Sequence, residues 1–485
     1  MRSSRSWIRI VLAATLLSCS GNGAPEASSP DLPPHPGLLS GEFRRDLVVL
    51  SIDTLRADRL PFYGAERPLG GNPENPWSLS WIAANGTTFE QAWAPGGITL
   101  PSLGTLWTGL SPLEHGALGN REPIQVPGYG TRLKEAGWSG YAVTTNGILM
   151  EKTGLATEFD DFQPRDERYE KRIPRMLTPM AEQAILDGTP LFLWAHYMNP
   201  HQPYQPRSPF RGRWSQEDGA TATTEDLHGY FRRPERLTPE VHAQLLALYD
   251  EEVLGTNALS RQFLLSLDQA YRDAGRGPLE DNVILVLVSD HGEGLGDRNG
   301  FFLHSKSLYA GVTRVPLVIL GGGWKKGARI EEGLALEDLL PMLLEGKTPE
   351  AQVYFSTIGE RFFAARDDRW TLLHNPTGDP DGPKGPPAEV PFPYPEVALF
   401  DRMVDPLEKV DVSSEHPEVT RRLLDALHDW HRNLRRPDGE VEGLSAADLE
   451  ILEQLGYAGG EEEEPEGGIR GPWKGSDWKP SSADR

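Results

Sequence analysis

Four stretches of the chain are nearly unbroken apolar runs that stop at polar or charged residues: DLVVLSID (46–53), GYAVTTN (140–146), LFLWAHY (191–197) and NVILVLVSDHGE (282–293). Such runs predict strands covered on both faces, as in a parallel sheet. Between them leucines recur at steps of three and four, most plainly in PEVHAQLLALYDEEVLGTNALSRQFLLSLDQAYRDAG (239–275), the period of an amphipathic helix. Strand alternating with helix predicts an α/β fold with a doubly wound, mostly parallel sheet. Ligands of such sheets bind outside the carboxyl ends of the strands. Further on, QVYFSTIGERFFAARDDRWTLLHN (352–375) alternates apolar and polar positions, which predicts antiparallel strands.

The strand ends carry the candidate chemistry. Asp53 closes the first run, and Asp290-His291 close the strongest one. Carboxylates and an imidazole brought together from separate strand ends form a ligand set for a divalent cation. Alone, each of these residues could equally cap the helix or turn that follows. Thr99 lies in ITLPSLGTLWTGLSPLEHG (98–116). A hydroxyl beside a bound cation loses its proton more readily and becomes a nucleophile near neutral pH. In plain structural terms Thr99 would be the N-cap of a helix with Pro101 in its first turn. The two roles are compatible, because a helix N-terminus also stabilises an anion under attack.

Composition narrows the class. Asp+Glu 71 against Lys+Arg 48 gives a net charge of -23, which argues against nucleic acid as a partner. The 51 glycines and 42 prolines point to long connecting loops. The chain has one cysteine, Cys19, so no intrachain disulfide forms. It follows Arg2, Arg5 and Arg9 and a short apolar run from Ile10 to Leu17, too short to span a bilayer. Leu16-Leu17-Ser18-Cys19 resembles the lipobox of bacterial lipoproteins, which implies a lipid anchor on Cys19. With Ser20 next, the expected location is the cell envelope, on the outer membrane facing the periplasm. Residues 1–19 are then a signal peptide and 20–45, rich in Pro, Gly and Ser, a flexible tether.

Five segments in order, VVLSIDTLRADRLPFYG, TLPSLGTLWTGLSPLEHG, MNPHQPY, LVSDHGEGLGD and HSKSLYAGVTRVPLVI, resemble the successive motifs of the sulfatase family within the alkaline phosphatase superfamily. Weaker likenesses continue through ALEDLLPMLLE, LFDRMVDPLEKVDVS and DLEILEQLGYAGG, so the resemblance runs from about residue 45 to 458. It implies an alkaline phosphatase-like catalytic domain over 46–349 and a smaller antiparallel sheet subdomain with a closing helix over 350–458. The spacing of Ser445 and Asp448, with leucines at 449, 452 and 455, fits a capped docking helix. Residues 375–396 read as a surface loop, and the acidic tail 459–485 as disordered.

The resemblance further implies Asp53, Asp290 and His291 as metal ligands, with Thr54 and Thr99 completing a site for one divalent ion: calcium, zinc or manganese. It puts Thr99 at the nucleophile position. True sulfatases have there a cysteine or serine matured to formylglycine, followed by an arginine in Cys-x-Pro-Ser-Arg. This chain reads Thr99-Leu100-Pro101-Ser102-Leu103. Threonine cannot yield the aldehyde, so no formylglycine is expected. The superfamily's phosphodiesterases and periplasmic phosphoethanolamine and phosphoglycerol transferases use an unmodified threonine there.

His201 and His304 occupy places where the family contacts substrate or protonates the leaving oxygen, and Lys306, Asn146 and Ser102 are candidate substrate contacts. His115 is expected to be structural. The implied reaction is in-line attack by metal-bound Thr99 on sulfur or phosphorus of a sulfated or phosphorylated small molecule, glycan or lipid head group. Water as the final acceptor makes a hydrolase, and an alcohol makes a transferase. Leu103 and Asn146 keep a third reading open, a binding protein without turnover.

Overall fold

The computed structural model describes residues 33–216, 221–298, 300–376 and 395–437. Nine strands form the main sheet: β1 (Asp46–Ile52), β2 (Thr87–Trp93), β3 (Ser139–Thr144), β4 (Asp161–Pro164), β5 (Leu191–Tyr197), β6 (Val283–Val288), β7 (Arg314–Gly321), β8 (Ala328–Ile330) and β9 (Leu334–Ala335). Their order is β4-β3-β5-β1-β6-β7-β2-β8, with β9 also paired to β2. β4, β3, β5, β1 and β6 are mutually parallel, whereas β7 runs antiparallel to both β6 and β2. β1, β5 and β6 are buried at every position, as their unbroken apolar runs require. One face packs on the long helix Pro239–Asp273, through Leu248, Phe263 and Leu267 among others. The opposite face packs on the helices Thr99–Thr108 and Leu336–Glu345.

Register aligns the strand ends. Ser51 lies beside His196 of β5 and Val288 of β6, so the residues after β1, β5 and β6 leave the sheet along one edge. The apolar runs are shorter as strands than as sequence. β3 ends at Thr144 and β6 at Val288, which frees Asn146 and Ser289 through Glu293 for that edge.

The long helix carries three consecutive buried acids that hold the segments packed around it. Asp250 takes Arg59 and Arg67, both at 2.5 Å, from the segment after β1. Glu251 accepts from the backbone N–H of Gly212, Trp214 and Ser215. Glu252 accepts from Gln205 N–H at 2.7 Å.

The alternating stretch forms the antiparallel sheet β10 (Tyr354–Ile358), β11 (Phe362–Arg366) and β12 (Trp370–His374), joined by β13 (Val397–Asp401). The helix Pro417–Asn433 covers it through Leu423, Leu424 and Leu427. The tether ends earlier than composition alone predicts. Leu38 is buried among the residues of helix Leu336–Glu345, and His35 stacks on Phe43 with centroids 4.6 Å apart. Gly37, at φ 93, passes so close to Gly346 that a side chain there would overlap it. An apolar leucine with a glycine able to follow its surface is enough to dock this stretch. The signal segment with Cys19, the loop core 377–394, the closing helix and the acidic tail lie outside the described residues. Among the described residues no helix is long and apolar enough to cross a membrane.

Candidate active site

The edge beyond β1, β5 and β6 is stitched together by polar contacts. The Ser289 hydroxyl lies 2.6 Å from both the Ile52 and His291 carbonyls and accepts from Leu55 N–H. Arg56, buried, reaches Asp58 on its own loop and Asp297 and the Glu293 carbonyl on the loop after β6. The turn after β1 puts Thr54 in the left-handed region, φ 53, with its carbonyl accepting from Tyr249 Oη.

Asp53, Asp290 and His291 come together there, each offering a ligand atom within 4.8 Å of the others, all buried. His291 Nδ1 lies 3.0 Å from its neighbour's carbonyl, that of Gly292, and donates to it. Its Nε2 lone pair therefore faces Asp290 Oδ2 at 3.4 Å, Asp53 Oδ1 at 3.9 Å and Thr99 Oγ1 at 3.3 Å. Burial, with His304 second, pushes the His291 imidazole down to about 3, so it is neutral at physiological pH. Asp53 Oδ1 and Asp290 Oδ2 have no hydrogen-bond partner among the described residues, nor does the buried Thr54 hydroxyl. Two buried carboxylate oxygens without donors beside a neutral imidazole are costly as they stand. They fit a divalent cation, for which all three are ordinary ligands.

The two carboxylates divide the electrostatic load without an ion. Burial and then Asp53 hold the Asp290 carboxyl well above the usual range. Burial also raises Asp53, but His196, His201 and His291 outweigh it and bring Asp53 well below that range. The two therefore titrate as a pair.

Thr99 is the first residue of its helix, with Ile98 in the capping position instead, and is 1% exposed. The extended backbone of Ile98 takes the cap's conformation without a side-chain cap, which frees the Thr99 hydroxyl to face His291. His201 and His304 stand near by, their rings 4.9 Å apart, and His304 stacks on His291 at 4.5 Å. His304 Nδ1 lies 3.1 Å from Glu293 Oε1, and His201 Nδ1 lies 2.5 Å from the Gln202 carbonyl. Lys306 follows His304 on the same loop, half-buried.

Two candidate substrate contacts face inward. Asn146 donates from Nδ2 to Asp53 Oδ2 at 2.6 Å and accepts Ile148 N–H at Oδ1, so its amide is committed within the protein. Ser102 is fully buried, its hydroxyl 3.4 Å from the Gly96 carbonyl. His115 is structural, with Nε2 3.0 Å from the Pro101 carbonyl. Sequence reasoning did not single out His196 or Glu293. His196 lies on β5 with Nε2 3.5 Å from Asp53 Oδ2. Its only signal was an imidazole inside an otherwise apolar run. Glu293 stood in the DHGE segment but carried no spacing cue of its own.

Known proteins resemble this chain in sequence and in fold. An arylsulfatase of Clostridium perfringens is 29% identical over 171 residues, covering 32% of this chain and 34% of that protein. The match thus spans about a third of the relative's length. The phosphonate monoester hydrolase of Agrobacterium radiobacter has a similar structure, with a TM-score of 0.55 at 16% identity, covering 80% of this chain and 95% of its own. A protein solved in complex with its substrate D-glucosamine-2-N,6-O-disulfate gives a TM-score of 0.57 at 17% identity, covering 80% and 97%. At these identities the structures share the alkaline phosphatase-like fold. The model of the Sulfatase family matches residues 45–345, the whole of the main sheet and its strand-end cluster, and the chain belongs to that family.

Proposed function

We propose that this protein is a divalent-metal-dependent hydrolase of sulfate, phosphate or phosphonate esters whose nucleophile is the unmodified hydroxyl of Thr99. The observation that carries this reading is the 3.3 Å approach of Thr99 Oγ1 to His291 Nε2, at the centre of the Asp53, Asp290 and His291 group. A divalent ion held by those three residues supplies positive charge to the ester oxygens and eases ionisation of a neighbouring hydroxyl. Zinc, manganese and calcium are the candidates, and the imidazole favours the first two.

Thr99 starts a buried helix, whose dipole adds to the attraction for the ester's anionic oxygens. Attack by Oγ1 makes a threonine ester and breaks the bond to the leaving alcohol, whose oxygen needs a proton. His304 is suited to supply that hydrogen. Burial pushes its imidazole down to about 4 and the Glu293 carboxyl up to about 8. At neutral pH the Glu293 carboxyl therefore donates to His304 Nδ1 and the ring keeps its proton on Nε2, so that as Nε2 gives its proton to the leaving oxygen Glu293 passes its own to Nδ1 and becomes the carboxylate. His201 is wired the opposite way. Its Nδ1 donates to the Gln202 carbonyl, which makes Nε2 the ring's accepting atom, suited to take a proton from the water that cleaves the threonine ester.

Sulfated sugars and phosphorylated lipid head groups are the substrate classes this chemistry serves. A lipid anchor on Cys19, facing the periplasm, belongs to the same proposal. The test incubates wild type and Thr99→Ala with an aryl sulfate and an aryl phosphodiester in the presence of zinc, manganese or calcium, followed by intact mass. A sulfo or phospho adduct on Thr99, and a loss of about 10³-fold or more in the variant, support the reading. Wild-type turnover by Thr99→Ala would sink it. Added acceptor alcohols that end up esterified would identify a transferase.

A further inference from the structure

We propose that His196, acting with Asn146, is a positioning residue of the metal site: together they fix Oδ2 of Asp53 and leave Oδ1 as its single ligand atom. The inference rests on the ion-binding reading above.

Ser51 on β1 and His196 on β5 sit at neighbouring register positions, both fully buried. Trp194 Nε1, which can only donate, gives its hydrogen to Ser51 Oγ at 2.8 Å. Ser51 Oγ in turn lies 2.8 Å from His196 Nδ1. Having accepted from the indole, the hydroxyl donates its own proton to Nδ1, which sets the imidazole proton on Nε2. That N–H points toward Asp53 Oδ2 at 3.5 Å, an electrostatic pair that a small approach of the carboxylate would close into a hydrogen bond. Asn146 Nδ2 already donates to the same oxygen at 2.6 Å.

The other oxygen, Oδ1, has no hydrogen-bond partner among the described residues and lies on the side of His291 Nε2. Two donors behind one oxygen, and none on the other, fix the carboxylate before the ion arrives. Less orientational freedom is then lost on binding, and affinity rises. Neither positioning residue competes for the ion itself. Ser51 occupies Nδ1 of His196, and Ile148 N–H occupies Oδ1 of Asn146.

The test titrates Mn²⁺ into EDTA-stripped, desalted protein by calorimetry, for wild type, His196→Ala, His196→Asn and Asn146→Ala, with metal-free melting curves alongside. His196→Ala and Asn146→Ala are each expected to weaken Mn²⁺ binding roughly 10- to 100-fold. His196→Asn, which restores a side-chain N–H, should recover part of the loss. A merely structural role would lower the metal-free melting temperature and leave the affinity of the folded protein unchanged. Folded His196→Ala binding Mn²⁺ as tightly as wild type overturns the proposal and leaves the hydrolase reading standing. Failure of the wild type to bind any of Mn²⁺, Zn²⁺ and Ca²⁺ overturns the ion reading and this proposal with it. If His196→Ala does not fold, Ser51→Ala carries the test. Losing the donor that sets the tautomer should weaken binding about 10-fold, and unchanged affinity overturns the proposal.

Discussion

Replacing Asp290 by Asn should make the metal-free protein more stable and the metal-loaded protein less stable than wild type. Without an ion, Asp290 is buried with its carboxyl held well above the usual range, by burial first and the Asp53 charge second. A raised acid in the folded state binds its proton more tightly than in the unfolded chain. Its contribution is therefore whole below the unfolded value, ~3.9, and falls as pH rises from there. At pH 7 the wild type carries that deficit.

The geometry around the substituted side chain agrees in sign. In Asp290→Asn, Oδ1 keeps the His291 N–H now at 2.9 Å, and the amide faces His291 Nε2, where Oδ2 sits at 3.4 Å. One new hydrogen bond contributes about 1 kcal/mol, and removing an unsatisfied buried oxygen on the order of 1–2 kcal/mol more. The gain is roughly 2–3 kcal/mol. An ion at about 1,000 times its Kd adds about 4.1 kcal/mol to the wild type. The variant, lacking a ligand, gains little. Urea unfolding of both proteins in EDTA and in saturating Mn²⁺ should thus show their order reversing. A variant less stable than wild type in EDTA would refute the uncompensated pair. A variant that gains as much from Mn²⁺ as the wild type would refute Asp290 as a ligand.

The metal-free protein should lose stability as pH rises from about 6.5 to 8, where buried acids still titrate and the buried imidazoles are neutral in both states. Burial raises Glu293 to about 8, Glu170 to about 7 and Asp338 to about 6, so their contributions fall as pH rises from the unfolded carboxyl range through those values. Burial lowers His304 and His115 to about 4, so theirs fall as pH drops from 6.5 toward 4. Melting temperatures in EDTA that climb steadily from pH 6 to 9 would contradict this. Glu251→Ala strips the acceptor from three N–H groups and should cost about 3 kcal/mol in urea unfolding; a change within ~0.5 kcal/mol, that of an ordinary surface site, would show the loop held by other means. Gly97→Ala adds a Cβ 2.5 Å from the His304 carbonyl, two residues before Thr99. It should push the two catalytic segments apart and lower kcat on the order of 100-fold, and a wild-type kcat would show that their spacing does not matter.

Much of this was legible in the chain. Asp53, Asp290 and His291 could be read because each follows an apolar run, and parallel strands end on one edge. His201 and His304 were recognisable from motif order. The rest depends on which strands become neighbours. Asn146 follows a strand end just as Asp53 does, and only the adjacency of β3, β5 and β1 shows it turned onto Asp53 instead of outward. His196 gains a role only through its register with Ser51. A buried imidazole in a strand otherwise reads as core. The antiparallel insertion of β7 leaves no trace in hydrophobic period, because its strand is buried on both faces like its parallel neighbours.

The three acids of the long helix have a mechanical consequence. Successive helical residues point about 100° apart, so Asp250, Glu251 and Glu252 fan out from one short length of rod. Asp250 grips the segment that follows Asp53, and Glu252 grips the end of the segment that carries His201. The distance between the Asp53 carboxylate and that imidazole is therefore gauged by a helix. A load on either loop must pass through the same rod, and the spacing of the two loops becomes a property of the scaffold rather than of the loops themselves.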